Sequence, residues 1–312
     1  MTGPSGPVRP DPNAGMPGAR FIDPAVLGRI RDLELVARWV VEGFISGLHR
    51  SPHLGFSTDF AEHRAYMPGD DIRHIDWRVY ARTERYYLKT FEADTNTNFT
   101  VLLDTSASMG FAHAGLSKLD YAKILAACLT YFSHRQRDRV GLVAFDEDIR
   151  EVVPPSARHL SHVLHALDRA KAQGKGGLAR VMARVAEQQR RRGIFLLLSD
   201  LYEEPDAIVR ALAPLRDGGH DVIVMQVLDH AERTFPYEDA TTFRDVETGA
   251  RMPVIPGKLR KEYLAAMSQH EREVARRLGE ARIDHALVDT AEPLDRILFE
   301  YLVRREHLQA VK

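Results

Sequence analysis

The chain has 312 residues, 44% of them hydrophobic and 28% charged, with 43 Lys+Arg against 44 Asp+Glu. That is enough for one large domain or two smaller ones with a sizeable core, and the balanced charge argues against a surface built to coat nucleic acid or acidic lipid. A single cysteine, no secretory apolar stretch near Met1 and no run of roughly 18 uncharged apolar residues predict a cytoplasmic protein without a membrane span.

Residues 1–22 are rich in Pro and Gly with no apolar period, the composition of a disordered tail. Asp23-Pro24 marks a helix start, and Val26, Ile30, Leu33, Ala37, Val40 and Phe44 share one face of the helix that follows. That stripe is expected to pack on the rest of the chain, with a partner helix as the alternative. Its most apolar part, Leu35 to Leu48, is interrupted by Arg38 and Glu42. Residues 50–80 are dense in charge and turns, and Tyr86, Leu88 and Phe91 suggest a strand. Residues 23–95 therefore read as an N-terminal helix and charged loop/strand extension.

From residue 96 to 305 the pattern alternates. Phe99 to Leu103 is a short apolar run of the kind buried on both faces of a parallel sheet. Ser117-Lys-Leu-Asp120 reads as a capping box, and it opens a helix with Tyr121, Ile124, Leu125, Cys128, Leu129 and Phe132 on one face. Cys128 is thus expected in the core, not as a reactive thiol. Strands are predicted at 140–145, 194–198, 222–227 and 283–288, with 149–153 pairing back as a hairpin. Helices are predicted at 160–170, 178–189, 206–215 and around Tyr263–Leu278 and Leu294–Leu302. The segments Thr241–Val246 and Arg251–Val254 flank a turn and predict a β-hairpin inserted at about 238–256. The alternation predicts an α/β fold, a doubly wound, mostly parallel sheet with helices on both faces.

The sharpest chemical signal is Asp104-Thr-Ser106-Ala-Ser108 directly after the first apolar strand. Ligands of open parallel sheets sit at the carboxyl ends of strands, and a turning loop there can aim one carboxylate and two hydroxyls at a point. Asp200 follows the 194–198 strand at the equivalent place. If the two strands are neighbours, four oxygens meet, a donor set suited to a hard cation such as Mg²⁺. The plainer alternative is that Asp104 caps the loop while Ser106 and Ser108 satisfy turn amides.

Asp104-x-Ser106-x-Ser108 with Asp200 resembles the metal-ion-dependent adhesion site of von Willebrand factor A domains. In that family a partner's carboxylate completes the coordination of Mg²⁺, Mn²⁺ or Ca²⁺. Arg64-x-Tyr66-x-Pro68-Gly69-Asp70-Asp71-x-Arg73-x-Ile75-Asp76-Trp77, together with Phe243–Gly249 and the Asp289-to-Arg305 ending, resembles a bacterial von Willebrand factor A-like family of unknown function associated with MoxR-type AAA+ ATPases. The resemblance spans roughly residues 25–305. It implies a non-enzymatic protein-binding module, accessory to such an ATPase in complex assembly or cofactor insertion. The family's usual Thr ligand falls near Leu178 in Gly174-Lys-Gly-Gly-Leu178, and leucine offers no oxygen. Weaker metal binding, or a metal-free scaffold with a vestigial site, is the resulting alternative, and the Asp146-Glu-Asp148 turn is a candidate replacement donor.

Arg64, Asp70, Asp71, Arg73, Asp76 and Trp77 read either as a paired network that orders a loop or as a partner-docking surface. His162 and His165 lack ligand spacing beside a carboxylate and read as solvated or helix-facing. A second alternative, an Asp-based metal-dependent phosphohydrolase, lacks the second Asp such enzymes resemble at the position of Ser106, and no phosphate-cradling Gly-rich loop is present.

Overall fold

The computed structural model describes residues 32–49, 63–65, 87–89, 97–189, 191–239, 241–244, 250–294, 296–298 and 301. The expected tail and the helix start at Asp23-Pro24 lie outside these residues. Helix α1 (Leu33–His49) is followed by two short antiparallel strands, β1 (His63–Ala65) and β2 (Tyr87–Lys89), with Arg64 opposite Leu88.

The main body alternates as the apolar runs predict. In chain order it comprises β3 (Asn98–Asp104), α2 (Lys118–Arg135), β4 (Arg139–Phe145), β5 (Ile149–Ser156), α3 (Leu160–Arg169), α4 (Leu178–Gln188) and β6 (Gly193–Ser199). Then come α5 (Pro205–Asp217), β7 (Asp221–Leu228), a short α6 (His230–Thr234), the hairpin β8 (Thr241–Arg244) and β9 (Arg251–Val254), α7 (Pro256–Glu280) and β10 (Asp284–Asp289). The six-stranded sheet has the order β10-β7-β6-β3-β4-β5. All its neighbours are parallel except β4–β5, which forms the expected antiparallel pair.

Alternation of side chains divides the core in two. Phe99, Val101 and Leu103 of β3 face a cluster with Val36, Val40, Leu125, Leu129, Val163 and Tyr301. Leu102 faces the other side, with Leu178, Val181, Leu212, Val274 and Leu278. Helices α1, α2 and α3 thus cover one face, and α4, α5 and α7 the other, the doubly wound arrangement. Of the expected stripe, Ala37 and Val40 are buried in this core and Leu33 and Phe44 pack at its margin, while Val36 and Val41, outside the stripe, are buried beside them.

Ser117 starts α2 by accepting the Asp120 amide at 3.0 Å, but the box is not reciprocal: the Ser117 hydroxyl donates to Asp120 Oδ2 at 2.7 Å. A full capping box occurs where the sequence reading placed no helix, at Asp229 and Glu232 of α6. Cys128 is fully buried, and burial pushes its thiol up to about 12. No described helix is long and apolar enough to cross a membrane.

From β3 the chain winds outward through β4 to β5, then returns to lay β6 on the opposite flank of β3. The order therefore reverses between β3 and β6, and the carboxyl ends of these two strands border the crevice in which open α/β sheets hold ligands.

Candidate metal centre at the sheet switch point

Parallel pairing of β3 with β6, with Leu103 opposite Leu198, brings the ends of the two strands together. Asp104 and Asp200 both lie there, 4% and 3% exposed, with Ser106 equally buried. The Ser106 amide donates to Asp104 Oδ1 at 2.8 Å and the Ser199 hydroxyl to Oδ2 at 2.6 Å. Ser106 Oγ and Ser108 Oγ are 3.1 Å apart. All four residues singled out from the sequence, Asp104, Ser106, Ser108 and Asp200, therefore converge on one strand edge.

The loop is held from the other side by backbone. Ala107 donates to the Gly174 carbonyl at 3.0 Å, and Gln173 donates to the Thr105 carbonyl at 2.8 Å. Gly174 has φ +71°, and a Cβ there would lie 2.6 Å from Asp146 Oδ2, so conformation and space both call for glycine. After Asp200, Leu201 adopts φ +53° with its side chain buried. A left-handed conformation at a non-glycine residue costs roughly 1–2 kcal/mol. It is fixed here by core packing and by His270 Nε2, 2.7 Å from the Leu201 carbonyl.

The charges at the strand ends are not treated alike. Asp146, after β4, pairs with Arg150. Asp289, ending β10, meets Arg233 and His230, each at 3.0 Å. Asp229, after β7, caps α6. Asp200 is bound at 2.8 Å by Lys118 Nζ, which also binds Glu232 at 2.8 Å. Lys118 is fully buried, with the Tyr202 ring 4.7 Å and the Phe111 ring 5.9 Å from its nitrogen. Asp104 has only neutral donors, and no cation pairs with it among the described residues. Burial first, and next the Asp200 carboxylate, push its pKa up to about 7 against the hydrogen bonds from Ser199 and Ser106.

This donor set fits a hard divalent cation. It is all oxygen, the donor type Mg²⁺ takes, and the two serine hydroxyls lie side by side, 3.1 Å apart and within hydrogen-bond distance of each other. Among the described residues no three His, Cys, Asp or Glu side chains gather as an alternative cage. Leu178 is 4% exposed and belongs to the core cluster, so its side chain is unavailable to the site. Asp148 is engaged by Arg180 and Arg184, and Asp146 by Arg150, which leaves that turn an ion-paired corner. His162 and His165 are exposed on α3. Of the charged motif, only the backbone of Arg64 is described, in β1. Asp70, Asp71, Arg73, Asp76 and Trp77 lie outside the described residues.

The family model described as "Protein of unknown function DUF58" matches residues 62–273, taking in the Arg64-to-Trp77 motif and the whole strand-end site. The chain belongs to this family. Relatives of this DUF58 chain include the uncharacterized proteins Mb1516 of Mycobacterium bovis and Rv1480 of Mycobacterium tuberculosis. Each is 29% identical over 262 residues, 81% of this chain and 81% of the relative. Solved structures similar to the DUF58 chain include BatB from Bacteroides thetaiotaomicron, at 17% identity over 67% of this chain and 98% of that one with a TM-score of 0.47. Another is an aerotolerance-related membrane protein from Bacteroides fragilis, at 19% identity over 65% and 97% with a TM-score of 0.45. The SpRpn10 VWA domain aligns at 12% identity over 65% and 94% with a TM-score of 0.38.

Sequence reasoning missed Lys118, Glu232, Ser199 and Tyr202. For Lys118 a signal existed: it is the first residue of α2, where the helix dipole disfavours a cation, so its presence needs acidic partners. Glu232 and Tyr202 carry no comparable signal, because only the fold brings them to Lys118.

Proposed function

We propose that the chain is a non-enzymatic protein-binding module whose strand-end site uses a divalent cation to recognise a carboxylate on a protein partner. Asp104, Ser106, Ser108 and Asp200 would hold the cation, which when bound supplies Lewis-acid attraction for an incoming carboxylate. The observation that carries this reading is the placement of the Asp104 carboxylate. It is buried, lacks a cationic partner among the described residues, and stands beside a second carboxylate. Such an arrangement is costly unless a proton or a cation joins it.

The chain's own residues divide the work. Ser199 and the Ser106 amide orient the Asp104 carboxylate. The two serine hydroxyls add neutral donors, leaving a bound cation's charge only partly offset. Lys118 holds Asp200 Oδ2 and so limits how far that carboxylate is free to approach. The resemblance carried by the Arg64-to-Trp77 motif makes a MoxR-type AAA+ ATPase the partner to test first.

The bond from Lys118 to Asp200 favours a second reading, a metal-free scaffold in which the ammonium serves as the site's built-in cation. Capture of a MoxR-type ATPase encoded in the same genome separates the two. The metal-dependent reading expects retention in Mg²⁺, release by EDTA and at least tenfold loss in Asp104→Ala. Retention indifferent to EDTA and to Asp104→Ala would support the scaffold instead.

A further inference from the structure

On the β4–β5 side of the Asp104 loop lies a cleft of about 190 Å³ lined by Thr105, Arg150, Glu151, Arg169, Lys171 and Gln173. One water needs only about 10–15 Å³ of such space, so the cleft has room for a polar side chain. Its walls come from five places: Thr105 of the Asp104 loop, Ala144 of β4, the start of β5, the end of α3, and the loop after α3 whose Gln173 amide bonds the Thr105 carbonyl. The Asp104 loop therefore forms one wall.

The cations here are only partly neutralised. Arg150 uses Nε on Asp146, leaving its terminal nitrogens, and Arg169 uses one terminal nitrogen on Glu151. Lys171 is exposed and has no ion pair among the described residues. Of the three cationic side chains in the lining, Arg150 and Arg169 are each paired with one carboxylate, which leaves Lys171 as the excess cation. That matches a singly charged anion better than a dianionic phosphate, and free guanidinium N–H groups suit a carboxylate geometrically.

We infer that this cleft is a second anion subsite, which takes a side-chain carboxylate from an acidic segment of a protein partner. The choice of a protein carboxylate rests on the function proposed above. The cleft's chemistry does not need a metal, so its test runs in EDTA and fails independently of that reading.

An N-acetylated, C-amidated tetraglutamate peptide is titrated into the full chain at low salt in EDTA, with binding read by calorimetry. Saturable binding is expected, about tenfold weaker in Lys171→Glu and retained in Lys171→Arg. Arg158→Glu, an exposed charge reversal away from the cleft, should bind like wild type. The inference is overturned by absence of saturable binding to wild type, or by equal losses in Lys171→Glu and Arg158→Glu. Inorganic phosphate binding more tightly than the peptide at the same cleft would also overturn it, assigning the cleft to phosphoryl groups.

Discussion

Replacing Lys118 by Met separates the structural and ligand-binding roles of the strand-end charges. Methionine preserves most of the buried stem, so the change removes the ammonium without opening a large cavity. Two carboxylates, Asp200 and Glu232, lose a partner 2.8 Å away in a site where Lys118 is fully buried. Leaving a buried charge uncompensated costs about 3–5 kcal/mol. For a folded unit of 150–250 residues each kcal/mol lowers Tm by roughly 2–4 °C, so a fall on the order of 6–20 °C is expected in EDTA. In the same variant Asp200 is released toward Asp104, and a divalent cation gains a second free carboxylate. Mg²⁺ should therefore bind more tightly than in wild type and recover much of the lost Tm. The assay is thermal unfolding of both proteins across a Mg²⁺ series starting from EDTA. A Tm within about 1 °C of wild type in EDTA, or a variant that Mg²⁺ does not stabilise, would show that Lys118 does not neutralise the site.

Further outcomes follow from the same geometry. Asp104 has a folded pKa pushed up to about 7 from its ordinary 3.8, so its protonated form is favoured by folding. That contribution is fully present below pH 3.8 and is lost as pH rises through about 7. Asp104→Asn should remove this decline from urea-unfolding curves recorded in EDTA between pH 4 and 8 at ~1-unit steps, and an unchanged pH slope would contradict it. Cation binding needs the ionised form, so Mg²⁺ affinity in wild type should climb by up to about tenfold per pH unit below 7 and level off above, followed by calorimetry. Leu178→Thr should lower stability by about 1–3 kcal/mol and leave Mg²⁺ affinity unchanged, because residue 178 is packed in the core; a gain in affinity would show that its side chain reaches the site. Cys128 should resist a thiol reagent in the native protein and react only on unfolding.

The fold was legible because its main strands are short apolar runs and its helices carry clear stripes. Phe99 to Leu103 and Ile194 to Leu198 could be buried on both faces only as central strands, and they pair directly with each other. Asp104 and Asp200 inherit their proximity from that pairing, which is why two residues far apart in sequence could be placed together. What the sequence did not reveal depends on tertiary contact. Lys118 lies within an N-cap motif and reads locally as a helix start, yet its nitrogen is held by residues from two other segments of the chain. The basic cleft is similarly assembled from β4, β5, α3 and two loops. Leu178 shows the opposite case: its lack of oxygen was visible in sequence, and the structure adds that its position belongs to the core.

If the proposed function holds, Asp104 anchors a divalent cation. Isothermal titration of the metal-free protein with Mg²⁺ and Mn²⁺, wild type against Asp104→Ala, is the decisive measurement. Saturable binding to wild type that disappears in the variant is expected. No saturable binding to wild type, or equal binding to both, would contradict it.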